Sequence, residues 1–212
     1  TYSKRVKKMG HRGFVGGTDP EAWYGIGKLQ YHYLVSQGLK NDHVFLDIAC
    51  GSLRLGQYLI PFLNNKCYYG LEGNDELIKK GLEQEFPIPD IIKIKEPKFE
   101  SNYNFDLSFI DTFDFAIAQS LFTHLTIADI ELCFKQVHAK MHKESRFYFT
   151  FFEGDSSNNP KTESDPNDGW FYNFETLNKT AKKNGLELEY IGDWGHPRNQ
   201  KIICAKKQST SH

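Results

Sequence analysis

Val44-Phe45-Leu46-Asp47-Ile48-Ala49-Cys50-Gly51-Ser52-Leu53-Arg54-Leu55-Gly56 is the stretch whose reading decides the fold. Mostly apolar residues run into a carboxylate and then into small residues with Gly51 at the tip. The segment that follows carries Leu53, Leu55, Tyr58, Leu59 and Phe62, which can cover one side of a helix. This order predicts a buried strand, a tight turn and a helix start. Small residues let the backbone of such a turn approach a ligand closely, and the N–H groups at a helix N-terminus attract negative charge. The turn is therefore expected to be a ligand site.

Three ligand classes use a turn of this kind. A phosphate-cradling loop needs two glycines with four residues between them, then Lys and Ser or Thr; Gly51 and Gly56 have that separation, but Gln57-Tyr58 follow, which argues against it. A dinucleotide fingerprint needs three glycines and an acid at the end of the next strand, and of these the chain offers only Gly51 and Glu72. The third class places an acid at the end of the first strand, a small residue and a glycine shortly after it, and a second acid at the end of the second strand. Asp47-Ile48-Ala49-Cys50-Gly51-Ser52 fits that description. It resembles motif I of the class I S-adenosylmethionine-dependent methyltransferases, often D-x-G-x-G-x-G, with Ala49 and Leu53 standing where the pattern has two further glycines.

At 212 residues, with 39% hydrophobic and 15% aromatic content, the chain can bury a full core and is not a disordered tail. A net charge of -1 gives no global field for polyanions, so bulk charge does not indicate nucleic acid. The absence of a long apolar run or a signal-peptide pattern leads to the expectation of a cytoplasmic protein without membrane contact. Cys50, Cys67, Cys133 and Cys204 lie far apart in apolar surroundings with no C-x-x-C pair, and are read as buried thiols.

Residues 1–40 are read as an N-terminal arm and a cover helix, and residues 41–207 as one methyltransferase-like domain. Lys4, Arg5, Lys7, Lys8 and Arg12 make the first twelve residues basic, which reads as a solvated end or as an arm for an anionic partner. Thr18-Asp19-Pro20-Glu21 has capping-box spacing, so a helix should start there, with Trp23, Ile26, Gln30, Tyr33 and Leu34 on one face and a stop at Gly38. Cys67-Tyr68-Tyr69-Gly70-Leu71-Glu72 predicts a second strand ending in a carboxylate. In a parallel sheet Asp47 and Glu72 then flank one crevice, where a strand-end acid can accept both ribose hydroxyls. Residues 75–86 predict a helix closed by Pro87 and Pro89, Ile91 to Ile94 a third strand at a sheet edge, and 97–110 a loop.

Phe113-Asp114-Phe115-Ala116-Ile117-Ala118 predicts a fourth strand. It leads through Gln119-Ser120-Leu121-Phe122-Thr123-His124-Leu125 into a helix capped near Thr126, and this unit resembles the family's fourth strand and following loop. Residues 146–152 predict a fifth strand ending in Glu153, and the polar stretch 155–169 is read as a mobile lid or passive slack. A helix over 174–184 and a strand pair over 186–191 and 201–205 close the domain, and residues 209–212 read as a tail. The resemblance implies an α/β, Rossmann-like methyltransferase fold: a mixed seven-stranded sheet with an antiparallel last strand and helices on both faces.

What the resemblance implies for chemistry is transfer of a methyl group from S-adenosylmethionine to a small-molecule acceptor, taken to be a hydroxyl oxygen, leaving S-adenosylhomocysteine. It implies cofactor contacts at Asp47, Ala49, Cys50, Gly51, Glu72, Asn104, Phe105 and Gln119. A sulfonium methyl is already activated and requires no metal. His138 and His142 have helical metal-binding spacing but no third ligand with readable spacing. Transfer does require an in-line acceptor lone pair and, for a hydroxyl, a nearby base. His124, Glu153 and His196 are the candidates by location, and Phe122, Trp194 and Arg198 are candidate acceptor contacts. Two other readings stay open: a cofactor-binding domain without catalysis that serves a partner, and a ribose methyltransferase of nucleic acid using the basic arm.

Overall fold

The computed structural model describes residues 2–88, 90–159, 163–165 and 169–209. Pro89, the interior of the 155–169 stretch at 160–162 and 166–168, and all but the first residue of the 209–212 tail lie outside the described residues. Two compact units are formed, 1–103 and 104–212.

The first unit opens with helix α1 (Tyr2–Phe14), broken at Gly10, whose φ of 75° and ψ of 157° are not helical. The basic stretch is thus a helix and not a solvated end, because Val6 and His11 find buried positions that composition alone does not reveal. A π-helical turn (Glu21–Gly25) leads into α2 (Ile26–Ser36), which buries Ile26, Gly27, Gln30 and Leu34. Its entry is capped by Asp19, whose Oδ1 accepts from Ala22 N at 2.8 Å, and not by the Thr18–Glu21 pair. Strand β1 (Phe45–Ile48) and helix α3 (Gly56–Phe62) stand on either side of the ligand turn, with Pro61 tolerated in the last turn of α3. Strand β2 (Tyr68–Leu71) is followed by α4 (Asp75–Gln84), capped by the Asn74 side chain.

Residues 91–94 are where the sequence expectation fails. They form a short helix, α5 (Asp90–Lys95), and the edge strand is instead β3 (Lys98–Glu100), inside the expected loop. The isoleucines favour a strand by propensity, but no residue of α5 is buried, and an unpaired strand has little to stabilise it. Asp90 at the start and Lys93 and Lys95 at the end suit the helix dipole. Within this unit the strand order is β3-β2-β1, all parallel, with Asp47 opposite Gly70 and Ile48 opposite Leu71.

The second unit begins its regular structure with β4 (Phe113–Ala118) and α6 (Ile127–Lys140), where Thr126 caps the helix by accepting from Asp129 N at 3.3 Å. The fifth strand is longer than expected, β5 (Met141–Glu153). His142 therefore lies on a strand, not on a helix with His138, and its Nε2 is 3.0 Å from Asp114 Oδ1. A two-residue strand, β6 (Phe171–Tyr172), pairs with the end of β5, and α7 (Phe174–Lys183), β7 (Leu186–Gly192) and β8 (Lys201–Lys207) follow as expected. The order is β4-β5-β8-β7, with β8 antiparallel to both neighbours. Among the described residues the main strands number seven, the last antiparallel, as expected, and β6 is an addition to that plan. Cys50, Cys133 and Cys204 are buried and Cys67 half-buried, all as free thiols. Among the described residues no helix is long and apolar enough to cross a membrane.

Candidate functional site

In the first unit the turn after β1 is held by backbone and by one carboxylate. Cys50 N donates to Leu71 O at 3.0 Å and Leu53 N to Cys50 O at 3.1 Å, so the turn is pinned to the end of β2 and closed on itself. Ala49, Gly51 and Leu53 have φ of 58°, 56° and 66°. These are the three alternate positions at which the motif pattern carries glycine, so the left-handed backbone is kept although two of the glycines are absent. Leu53 is fully buried, which anchors its strained backbone from below.

Ala49 is half-buried, and there the strain can be tested almost without a packing term. Relief of a left-handed alanine is worth about 1–2 kcal/mol and the added freedom of glycine in the unfolded chain opposes it by about 0.4–1 kcal/mol. Ala49→Gly is accordingly expected to stabilise by about 0.5 kcal/mol in denaturant unfolding, and Ala49→Val, β-branched at positive φ, to destabilise by about 2 kcal/mol. Equal stability of all three would show that the turn adapts without strain.

Asp47 and Glu72 behave differently although both follow the predicted placement. Asp47 is buried, and its Oδ2 accepts from the Tyr68 hydroxyl at 2.7 Å. Burial pushes its carboxyl from the ordinary 3.8 up to about 7, against the Tyr68 hydrogen bond, with the neighbouring Glu72 charge adding to the rise. Glu72 is half-buried just beyond β2 and accepts from backbone amides, among them Gly51 N on Oε2 at 2.9 Å and Asn74 N on Oε1 at 3.0 Å, with Gly73 N contributing as well. Burial raises its carboxyl too, and those amides oppose the rise. A carboxylate has about four lone-pair positions, so acceptor capacity remains for a ligand hydroxyl. Tyr68 was not singled out from sequence, yet a tyrosine in a buried strand needs a partner for its hydroxyl, and the nearby Asp47 was the visible candidate.

In the second unit the remaining predicted residues divide into surface and core. Asn104 is exposed and Phe105 buried with φ of 56°, on the segment before β4. Phe122 is fully buried and stacks on Phe149 at 4.6 Å, edge-on to Phe134 at 5.5 Å. It belongs to the core and not to an acceptor surface, because its ring has no exposed face. Trp194 is also buried; it donates from Nε1 to Gln200 O at 2.9 Å and stacks on His196 at 5.4 Å, so the stacking place foreseen for an acceptor is filled by the histidine. Arg198 is exposed, and Glu153, also exposed, accepts from the Tyr190 hydroxyl at 2.8 Å.

His196 sits in a network that sequence reasoning missed. Its Nδ1 accepts from Arg198 N at 3.2 Å, so a neutral ring carries its proton on Nε2, which faces the Gln119 amide at 3.1 Å. Pairing there requires the oxygen of that amide on the histidine side. Ser120, at a positive φ of 58°, donates from its backbone to Thr150 Oγ1 at 2.7 Å, and Gln200 bridges Thr150 at 2.7 Å and Ser120 Oγ at 2.8 Å. The signal available in the sequence was Thr150, a lone polar residue inside Phe147-Tyr148-Phe149-Thr150-Phe151-Phe152.

His124 is half-buried on the turn between β4 and α6, and part of the expected slack, with the residues just after it, clasps that turn. Asp165 N donates to His124 O at 3.1 Å, Trp170 N to Thr123 O at 2.7 Å and the Tyr172 hydroxyl to Leu125 O at 2.7 Å. Ser164 Oγ accepts from Thr126 N at 2.9 Å. Ser164 and Asp165 of the polar stretch, with Trp170 and Tyr172 beyond its end, thus bracket the turn and satisfy three of its carbonyls and one of its amides.

No family model matches the sequence. Among solved structures the chain is similar to magnesium protoporphyrin IX methyltransferase from Synechocystis with bound S-adenosylmethionine, at 14% identity and a TM-score of 0.68 over 98% of each chain. It is similar to an S-adenosylmethionine-dependent methyltransferase from Clostridium acetobutylicum at 14% identity and a TM-score of 0.64, over 99% of this chain and 100% of that one. A TehB-like S-adenosylmethionine-dependent methyltransferase from Corynebacterium glutamicum matches at 19% identity and a TM-score of 0.61, over 99% and 96%. The Rossmann-like methyltransferase fold expected from the sequence is thus the fold of this chain.

Proposed function

We propose that this chain, having the fold of the S-adenosylmethionine-dependent methyltransferases, is one of them in activity and methylates a hydroxyl oxygen of a small-molecule acceptor. The observation that carries the reading is the pair of carboxylates at adjacent parallel strand ends: Asp47 buried beneath the left-handed turn, and Glu72 holding that turn by Gly51 N at 2.9 Å with lone pairs to spare. In this reading Glu72 accepts the ribose hydroxyls, Asp47 offers charge toward the cationic methionine part, and Ala49, Cys50 and Gly51 supply close backbone. The cofactor brings an activated methyl group.

On the acceptor side the proposal gives proton acceptance to His124, whose turn is bonded by Ser164, Asp165, Trp170 and Tyr172. His196 becomes a positioning residue, since its Nδ1 is occupied and its Nε2 proton is directed at Gln119. Arg198 and Glu153 are offered as exposed polar contacts. Support for a metabolite acceptor comes from the Synechocystis neighbour, whose name is that of a porphyrin methyltransferase. The exposed Lys4, Arg5, Lys7 and Lys8 on α1 favour a second reading, ribose methylation of nucleic acid.

The test is thermal unfolding with S-adenosylmethionine, S-adenosylhomocysteine or NAD. At about 100 times its dissociation constant a ligand contributes roughly 2.7 kcal/mol, so either sulfur compound is expected to raise the Tm and NAD to leave it unchanged. A shift with NAD alone would overturn the assignment. Glu72→Gln is expected to weaken S-adenosylhomocysteine binding about tenfold in calorimetry, the loss of one charged acceptor. Release of S-adenosylhomocysteine with pooled metabolites and none with RNA would favour the first reading over the second.

A further inference from the structure

Between the break in α1 and the first turn of the π-helix, the first unit passes over its own ligand turn. Val15 Cγ1 lies 3.1 Å from where a side chain on Gly51 would begin, and the Ser52 hydroxyl points to His11 O at 3.4 Å. Gly16 N and Gly17 N donate back to Gly13 O at 3.1 Å and Arg12 O at 2.7 Å, which closes the segment on itself. A ligand resting on the backbone around Gly51 meets this segment.

One carboxylate holds the segment down. The Glu85 side chain, at the end of α4, is 1% exposed, and Arg12 grips it with two parallel bonds of 2.7 Å, Nε to Oε1 and Nη2 to Oε2. Trp23 Nε1 donates to the same carboxylate at 3.2 Å, and His11 Nε2 stands 3.3 Å from it. Burial lowers the pKa of His11, which leaves Arg12 as the cation that answers this charge. The Arg12 guanidinium also lies 5.1 Å from the ring centres of both Trp23 and Tyr24. Upstream, Gly10 sits in a backbone region open to glycine, with nothing within 4 Å of a side chain added there. The segment thus has a free hinge at one end and a buried two-point ion pair just beyond it.

We propose that residues 11–17 form a strap over the S-adenosylmethionine pocket, that Arg12 and Glu85 are its latch, and that cofactor and product exchange only when the latch opens. This inference rests on the proposed cofactor site and adds the control of access to it. Arg12 is suited to a latch that must release: its side chain is 37% exposed, so water can replace one partner of the pair, while Glu85 alone pulls the strap back.

The experiment measures S-adenosylhomocysteine dissociation by stopped flow from wild type, Arg12→Ala and Arg12→Lys, with amide hydrogen exchange recorded on the same proteins. Arg12→Ala is expected to release the ligand at least tenfold faster, with faster exchange at residues 11–17 and 49–53 and unaltered exchange in β4 and β5. Arg12→Lys, which keeps the charge and loses the fork, is expected to fall between. Dissociation from Arg12→Ala at the wild-type rate would overturn the latch while leaving the cofactor site standing. If wild type binds no S-adenosylhomocysteine, the cofactor reading fails; exchange at 11–17 that is the same in wild type and Arg12→Ala would then overturn the latch as well.

Discussion

Asp47→Asn is expected to make the free protein more stable at pH 8, to leave it nearly unchanged at pH 4, and to weaken S-adenosylmethionine binding tenfold or more. The carboxyl of Asp47 titrates at about 7 in the folded chain against 3.8 ordinarily, chiefly because burial removes its hydration. Between those values the folded protein holds a proton that the unfolded chain has lost. The contribution to stability is therefore fully present below about pH 4 and is lost as pH rises through about 7. The whole span corresponds to about 4 kcal/mol, from roughly 1.4 kcal/mol for each pH unit. Asparagine has the same shape and still accepts the Tyr68 hydroxyl, so it removes the cost of a buried anion at high pH and changes little where Asp47 is already neutral. Guanidinium unfolding of both proteins at pH 4 and pH 8 checks this. A difference that does not grow with pH would mean that the carboxyl is not raised. Loss of affinity alongside gain of stability is the pattern of a group kept ionisable for its ligand and not for the fold.

Phe122→Ala is expected to cost about 3–5 kcal/mol, because the ring is fully buried among Phe134, Phe147 and Phe149 and its removal leaves a cavity that rigid aromatic neighbours cannot fill. Phe122→Leu is expected to cost about 1–1.5 kcal/mol, close to a volume-conserving exchange. Thermal unfolding separates the two. A stable Phe122→Ala protein would return this ring to the acceptor surface where the sequence alone had placed it.

Position on the chain correctly placed Phe122 on the segment between β4 and α6, the segment where the family resemblance puts chemistry. Whether its ring faces a ligand or the core depends on β5 and α6, which supply the other phenylalanines. The same division separates His196, correctly placed on the β7–β8 connection, from its tautomer, which is set by Arg198 N and Gln119. It also separates Asp47, correctly placed beneath the turn, from its titration, which burial and Tyr68 determine.

What the sequence determined by itself was whatever nearest neighbours enforce. Apolar runs ending in small residues or acids made β1, β2 and β4; Thr126 and the stops at Gly38 and Gly185 bounded helices; and Asp47, Gly51 and Glu72 fell at strand ends where a parallel sheet gathers its ligands. What only the tertiary structure decided was whatever depends on a partner distant in sequence. Residues 91–94 became helix because they had no strand to pair with, the basic N-terminus became a helix because Val6 and His11 found burial and Arg12 found Glu85, and Ser164 and Asp165 of the polar stretch were drawn to the turn at His124 because it had backbone groups to satisfy. The reason is physical: φ and ψ preferences and apolar periodicity act over a few residues, whereas desolvation and the pairing of buried polar groups are settled when the chain closes on itself.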